Sequence, residues 1–566
     1  MRTDKMKIIH KILIFNVIAV TISSVALAQE GWEGMGEIEE AEVIIEKERK
    51  VVLPRTRRIF EKVPSFELQS GILGLKYNYI PSKFVPGDLR TRVRPLTIKT
   101  QSLPVVRGNN VKLGYGNYGT AYLEGSMGTI RNDEHSFNLF IRHRSSAKGP
   151  VADENSGDSE SIADLSGNIF LNQATIWGKL SYRRDAFDFY GYNPADTIFR
   201  LIELNPDAFK QVLNNFTFAG KITTNLPDKE SGYSVQAIFD YVQDYYSATE
   251  ADFGFNFFGR IPIQENYTIE IISDLYLINR KDERTPSYNR HFVRIKPYLN
   301  YTLDNLDMSL GFSAVFVNDT LGEDKSFRFF PLFNVSYSIS RNTEAYGGFR
   351  ADVDKISLKS LLNENRHLSS EIDVFNQIRT FDFYAGIKGK LGKAWSYDIG
   401  TDLIYFKNRP YFINDPADTI KFTVIYDTKS SSYNHLRGSI GYDVTKNINI
   451  GLNAEHFFYH TSDQVTEAWH RPAYDITFLS TFALFEKFKF TADAYVMGGL
   501  KARDPGTGTV IEMDAIQDID LGFSYLISEQ ASVFFKTFNV IGRKNQRYLN
   551  YSTRGLQWLA GLSYSF

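Results

Sequence analysis

Glu455, His456 and His460 bring coordinating side chains close together along the chain. Two imidazoles and a carboxylate form a donor set for a transition metal. On an extended strand, however, residues four apart are separated by about 13 Å, so His456 and His460 share a face without reaching one ion. No metal site is expected there. His470, between Trp469 and Arg471, falls where a strand should meet a loop and is read as a loop or interface residue. Nucleophilic catalysis needs Ser, His and a carboxylate brought together. No Gly-x-Ser-x-Gly elbow is present, and nine histidines make accidental combinations plentiful. Gly114-Tyr115-Gly116 is no phosphate loop, because its neighbours alternate and no helical period follows. The residues therefore point to no catalytic group, cofactor or metal, and to no enzyme.

The aromatic side chains, 33 Tyr and 44 Phe, carry two readings. Trp177, Trp395, Trp558 and Tyr564 lie near expected strand ends and suit membrane-interface girdles. Tyr192, Tyr411 and Phe412 fall in expected loops, where rings can stack on a sugar or a hydrophobic nutrient.

The elements that would position these residues follow from composition and period. The chain has 566 residues, 43% hydrophobic, with a formal net charge of −2 and no cysteine. That hydrophobic content excludes disorder. Near-neutral charge without a Lys/Arg run argues against nucleic acid as a partner. Without cysteine there is no disulfide, thiolate metal site or lipidated Cys anchor. Arg2, Lys5, Lys7 and Lys11 precede or interrupt an apolar stretch from Ile12 to Val25, and Ala26-Leu27-Ala28 supplies small residues. This reads as a secretory signal peptide over residues 1–28, cut after Ala28. No later stretch has the length of an apolar transmembrane helix.

Beyond residue 107 the period is two. Ile448, Ile450, Leu452 and Ala454 alternate with Asn449, Gly451, Asn453 and Glu455. Phe488, Phe490, Ala492, Ala494 and Val496 alternate in the same way with Lys489, Thr491 and Asp493. Such strands separate an apolar phase from water. Short polar turns recur near Asn132-Asp133, Asn172-Gln173, Pro227-Asp228, Gln264-Glu265, Asp304-Asn305, Arg341-Asn342, Gly392-Lys393, Lys446-Asn447, Glu486-Lys487 and Ser528-Glu529. Between them run long polar connections, from Ser146 to Ser161, Tyr190 to Pro206, Lys355 to Glu371, Tyr405 to Ser432 and Gly498 to Asp514. Tight turns at one end and long loops at the other are the pattern of an outer-membrane barrel.

These hairpins, an opening pair near Asn110 to Tyr115 and Thr120 to Gly128, and a closing strand from Leu556 to Phe566 total about twenty-two strands. Soft boundaries allow any even number from roughly 16 to 22. The fold class is all-β: a transmembrane, antiparallel, up-and-down barrel over residues 107–566. On the last strand Leu556, Trp558, Ala560, Leu562, Tyr564 and Phe566 share one face. It resembles the terminal strand read by the barrel-assembly machinery of the outer membrane, with Trp558, Leu562, Tyr564 and Phe566 as the recognised side chains.

Phe538-Asn539-Val540, followed by Tyr548, Tyr551, Gly555, Gly561 and a final Phe566, resembles the end of TonB-dependent receptors. Tyr115-Gly116-Asn117-Tyr118-Gly119 is similar to the first hairpin of that family's barrel. The resemblance implies a 22-stranded barrel, and the abundance of Tyr, Phe and Asn looks like the receptor-like barrels of the Bacteroidota. The family carries a plug domain ahead of the barrel; the 78 residues from 29 to 106 are too few for a complete one. A reduced plug is expected there. Seven glutamates lie between Glu30 and Glu46, and Val43, Ile44 and Ile45 form a β-branched run flanked by charge. That run is read as a candidate partner strand, loosely similar to the segment such receptors present to the energy-transducing protein, or else as a lumenal strand or charged linker.

The leading functional expectation is passage or uptake of a small solute across the outer membrane. The alternative is an accessory barrel subunit of an envelope complex for secretion or outer-membrane biogenesis, recruiting periplasmic partners through its N-terminus. Expected partners are outer-membrane lipid, the barrel-assembly machinery, and a TonB-like or other periplasmic protein.

Overall fold

The structure, a computed structural model, describes residues 108–129, 132–192, 206–225, 230–319, 326–445 and 447–566. The expected signal segment 1–28, the segment 29–106 and the run Val43, Ile44 and Ile45 lie outside the described residues. The first strand, Asn110–Gly116, pairs with the second, Thr120–Gly128, and also with the last, Gln557–Ser565. The sheet is therefore closed. Thr343–Arg350 and Asp352–Asp354 both pair with Gln377–Leu391 and are one strand interrupted at Ala351. Counted so, the ring holds twenty-two antiparallel strands, each paired with its chain neighbours. Closure satisfies the edge N–H and C=O groups that lipid cannot.

Eight of the ten expected short turns lie wholly among the described residues, and each joins consecutive strands at one end of the ring. The long connections gather at the other, here the loop end. Among the described residues no helix is long and apolar enough to cross a membrane.

Alternation sorts the wall into two faces. Leu113, Leu310 and Leu562 point outward with 56, 62 and 62% of their surface open, a placement that only a lipid phase makes favourable. Trp558, Tyr564 and Phe566 share the outer face with Leu562. Near the turn end, aromatic pairs circle the outside: Tyr267 with Tyr301 at 4.9 Å, Trp395 with Tyr442 at 4.2 Å, and Phe488 with Tyr525 at 4.9 Å. Trp177, expected in such a girdle, is not part of it. It falls on the inward series with Lys179, Ser181 and Arg183, one register position out of phase with the outward Ile176 and Leu180.

The seam between the first and last strands is tight. An added Cβ at Gly561 would overlap the carbonyl oxygen of Leu113 and the ring of Phe534, and one at Gly116 would overlap the Trp558 carbonyl. Asn110 Nδ2 donates across the seam to the Ser563 and Ser565 hydroxyls at 2.9 and 2.8 Å.

Candidate functional site at the loop end of the barrel

The loops do not splay into water; they meet over the mouth. One core joins Phe187, Phe189 and Tyr190 of the fifth strand and its loop to Leu358, Leu361 and Leu368, to Phe412 and Phe422, and to Tyr548 and Tyr551. The loops that supply these rings leave strands spread around the whole ring. Lys421, on the loop after the fifteenth strand, Trp395–Lys407, lies 5.2 Å from the Phe189 ring, on the loop after the fifth, Ala174–Asp188. Ten strands of twenty-two separate their origins, so the contact crosses the mouth.

Residues 355–376 form the main crosspiece, a strap between the adjacent strands Asp352–Asp354 and Gln377–Leu391. Its short helix, Leu358–Glu364, starts at Ser357, whose side chain accepts from the Ser360 amide while Ser360 Oγ accepts from the Ser357 amide. Leu358 and Leu361 are buried in the cap core. The feet of the strap are tied to the wall by Arg290, 1% exposed. Its guanidinium donates to Asp319 at 2.8 Å, to the Ile356 carbonyl at 2.9 Å and to Asn376 Oδ1 at 2.9 Å. Glu250 lies 4.0 Å from the same group and accepts the Leu358 amide at 2.7 Å. Breaking such a buried, hydrogen-bonded pair costs about 3–5 kcal/mol.

From its first residue onward the strap also reaches the opposite arc. Lys355 pairs with Asp252, Lys359 with Asp240, and Arg366 with Asp185 at 3.4 Å, on the eighth, seventh and fifth strands. The Lys359 and Arg366 side chains are 29 and 31% open to water, and such pairs contribute roughly 0–1 kcal/mol each. These exposed pairs are the minor part of the strap's attachment: Leu361 and Leu368 are buried in the cap core, the Ser369 amide donates to the Phe422 carbonyl at 2.7 Å, and the Phe422 amide donates to the His367 carbonyl at 2.9 Å.

Between strap, wall and last loop lies a cavity of about 550 Å³, within the size range of small-molecule sites. Arg144, Arg183, Lys359, Arg366 and Arg547 line it against only three carboxylates, Glu160, Asp185 and Glu364. Arg547 has no carboxylate partner among the described residues; it rests on Met497 sulfur at 2.9 Å and the Tyr548 ring. The lining carries an excess of positive charge together with phenol and amide donors.

Two buried histidines brace the cap. His367 stacks on Tyr551 at 3.7 Å, edge-on to Phe187 and Tyr190. Burial, and then Arg366 beside it, hold its imidazole neutral, far below the usual range. His470 donates from Nδ1 to the Phe412 carbonyl at 2.9 Å and accepts the Leu549 amide on Nε2 at 3.3 Å, which sets its tautomer. Burial pushes it down to about 4, opposed by the Phe412 carbonyl. Arg409, 8% exposed at the base of the hairpin Arg409–Asn414 and Phe422–Asp427, sits 4.7 to 5.6 Å from the Phe406, Tyr411, Tyr433 and Tyr459 rings. That aromatic box replaces a counter-ion.

The residues singled out from sequence fare differently. Glu455 faces the lumen, 3.7 Å from His435, while His456 packs on the outward Phe458 at 4.3 Å, so the wall separates carboxylate from imidazole. His460 shares the outward face of His456 by parity. Among the described residues no group of three His, Asp or Glu side chains is placed to hold a metal. Tyr192, Tyr411 and Phe412 are buried at 6, 1 and 1% exposure in the cap cores and offer no face to a ligand. His470 is a loop residue, as read. Asn539, at the head of the terminal motif, adopts φ 51° and donates to the Arg543 and Arg554 carbonyls at 2.6 and 2.8 Å, fastening the loop that carries Tyr548 and Tyr551. Sequence reasoning passed over Lys359, Arg366 and Arg547. The available signal was Ser357 preceding Leu358, Leu361 and Leu362 at helical spacing inside a long loop.

No protein-family model matches the chain, and no curated protein does. Solved structures do resemble it. The siderophore receptor PirA from Acinetobacter baumannii shares 11% identity and a TM-score of 0.62, covering 82% of this chain and 81% of that one. A variant of the ferric enterobactin receptor PfeA from Pseudomonas aeruginosa, bound to enterobactin, shares 10% identity and a TM-score of 0.60, with 81% of each chain covered. FpvA of P. aeruginosa, bound to heterologous pyoverdines, shares 10% identity and a TM-score of 0.60 over 81% of this chain and 71% of that one. At these identities the likeness shows a common barrel fold.

Proposed function

We propose that this chain is an outer-membrane, receptor-type transporter that takes up a small solute through its barrel. The observation that carries the reading is a polar-lined ring of twenty-two strands whose loops close over a small, charge-lined cavity instead of leaving an open pore. Capture at a capped mouth suits a receptor better than a diffusion porin. The fold shared with receptors for siderophores supports the same reading. In this reading the signal segment exports the chain, the loop end faces the exterior and the turn end the periplasm. The C-terminal strand with Trp558, Leu562, Tyr564 and Phe566 is recognised by the assembly machinery. The run Val43, Ile44 and Ile45 adds as a strand to a TonB-like energy-transducing partner.

Planar-bilayer recording of the purified protein, paired with growth and uptake assays on a deletion strain, tests the proposal. Gated conductance and a solute-specific uptake defect are expected. A barrel that never conducts, with no uptake defect on deletion, would sink it. Deleting residues 29–60 tests the partner strand: uptake should fall while the barrel still assembles.

A further inference from the structure

On four neighbouring strands the outer face changes from apolar to polar at a single row near the loop end. His143 of the third strand, His135–Ser146, stands in register with Ser161 of the fourth, Asp158–Phe170. Ser161 is in register with Arg184 of the fifth strand, and Arg184 with Asn214 of the sixth, Lys210–Thr224. Their chain neighbours Arg144, Glu160, Arg183 and Asn215 line the inner cavity, so alternation turns the row itself outward. The row contains no carboxylate. Arg184 makes no hydrogen bond or ion pair among the described residues. His143 Nδ1 and the Ser161 hydroxyl share a hydrogen bond at 2.8 Å, which leaves Nε2 for a ligand. Asn214 Oδ1 accepts from the Tyr182 hydroxyl at 3.0 Å, which leaves its amide nitrogen as a donor.

Toward the turn end the same strands turn apolar. Leu139, Ala163, Leu165, Leu180, Phe216 and Phe218 line an outer groove of about 330 Å³. Tyr182, its ring 4.7 Å from that of Phe216 and its hydroxyl on Asn214, stands where groove meets row. A guanidinium beside hydrocarbon is costly unless an anion meets it, and its planar fork matches phosphate oxygens. An apolar slot beneath a cationic row, on a wall that faces lipid, complements an amphiphile with an anionic head. We propose that this face holds one phosphate-bearing membrane lipid, an acyl chain in the groove and the headgroup phosphate on Arg184, His143 Nε2 and the Asn214 amide. The site lies outside the wall and is independent of the transport reading.

The full chain, purified in a non-ionic detergent, is titrated with dimyristoyl phosphatidic acid and with dimyristoylglycerol, which has the same chains and no phosphate. Native mass spectrometry counts the lipid retained. One phosphatidic acid per barrel should stay bound, about tenfold more tightly than dimyristoylglycerol. Arg184→Gln with His143→Gln should remove most of that preference, while Lys281→Gln, an outward cation at the loop end of the ninth strand, Tyr267–Lys281, should keep it. Ala163→Phe fills the groove with a side chain that a lipid face tolerates and should weaken both lipids alike. Equal retention of the two lipids by the parent chain overturns the proposal without any variant. A preference that survives the double substitution overturns the headgroup site, and parental binding by Ala163→Phe overturns the groove. Displacement of phosphatidic acid by inorganic phosphate at equal concentration overturns the lipid in favour of a soluble anion.

Discussion

Arg290→Met removes the charge that ties the strap to the wall while keeping much of the side chain's volume. The variant leaves the Asp319 and Glu250 side chains, 0 and 2% exposed, without the cation between them. It also strips a donor from the Ile356 carbonyl and from Asn376. Asp319 keeps the Asn376 amide at 3.1 Å and its side-chain nitrogen at 2.9 Å, so the loss is that of one buried cation with its hydrogen bonds, about 3–5 kcal/mol. Converted at about 1.4 kcal/mol per tenfold, the strap should open roughly 140- to 3,700-fold more often. Hydrogen exchange reads this at the Ile356, Leu358 and Asn376 amides, each held by a partner in the Arg290 network. Ladder amides of the wall, such as those of Leu113 and Ile404, serve as controls and should keep their protection. Strap amides within about threefold of the parent would refute the claim that one buried guanidinium fixes the feet.

Three further outcomes follow from the same physics. His470 in the folded cap titrates near 4 instead of 6.5, so the unfolded chain binds the extra proton between those values. Cap stability should therefore fall by about 3 kcal/mol as pH drops from 6.5 to 4, with no further loss from this group below that, and His367 acts in the same direction. Protease cleavage within 409–427 should quicken at pH 5 over pH 7, and pH-independent cleavage would count against the buried neutral imidazole. Gly561→Ala drives a methyl into the Leu113 carbonyl and Phe534 ring and should cost about 1–3 kcal/mol, seen as a lower temperature for loss of the compact gel band. Ile295→Arg, outward at 45% exposure, should cost about 2–4 kcal/mol on refolding into lipid, whereas Asn300→Lys on the inward series should stay within about 0.5 kcal/mol; equal costs would contradict the assigned faces.

The wall was legible because its code is local. Gln264-Glu265 and Asp304-Asn305 mark turns by composition, and the alternation around Leu452 and Phe490 fixes which face meets lipid. The strand count follows from those two signals alone. Trp177 shows where local reasoning slips: an aromatic near a strand end looks like a girdle residue until its phase against Ile176 and Leu180 is counted. The cap was illegible for a different reason. Tyr548 reaches the Glu364 carbonyl at 2.6 Å and Tyr551 the Ile420 carbonyl at 2.6 Å, across sequence separations of 184 and 131 residues. No local period encodes such a contact, so Tyr411 and Phe412 looked available to a ligand when they were needed as filling for a core. The cavity cations shared that fate, because a lysine in a polar loop announces nothing until the loop crosses a lumen.

The seam has a consequence for how the molecule comes into being. Lys112 and Glu124 meet across a separation of 12 residues, whereas Leu113 must find Leu562, 449 positions further along the chain. At about 0.6 kcal/mol per doubling of loop length, the second encounter carries roughly 3 kcal/mol more closure entropy than the first. Neighbouring hairpins zip quickly, and the ring waits on its slowest search. Until that search ends, the nascent sheet has two raw margins, each able to template a neighbour's strand. The vulnerability of such an intermediate to aggregation is set by the seam rather than by the stability of the finished wall.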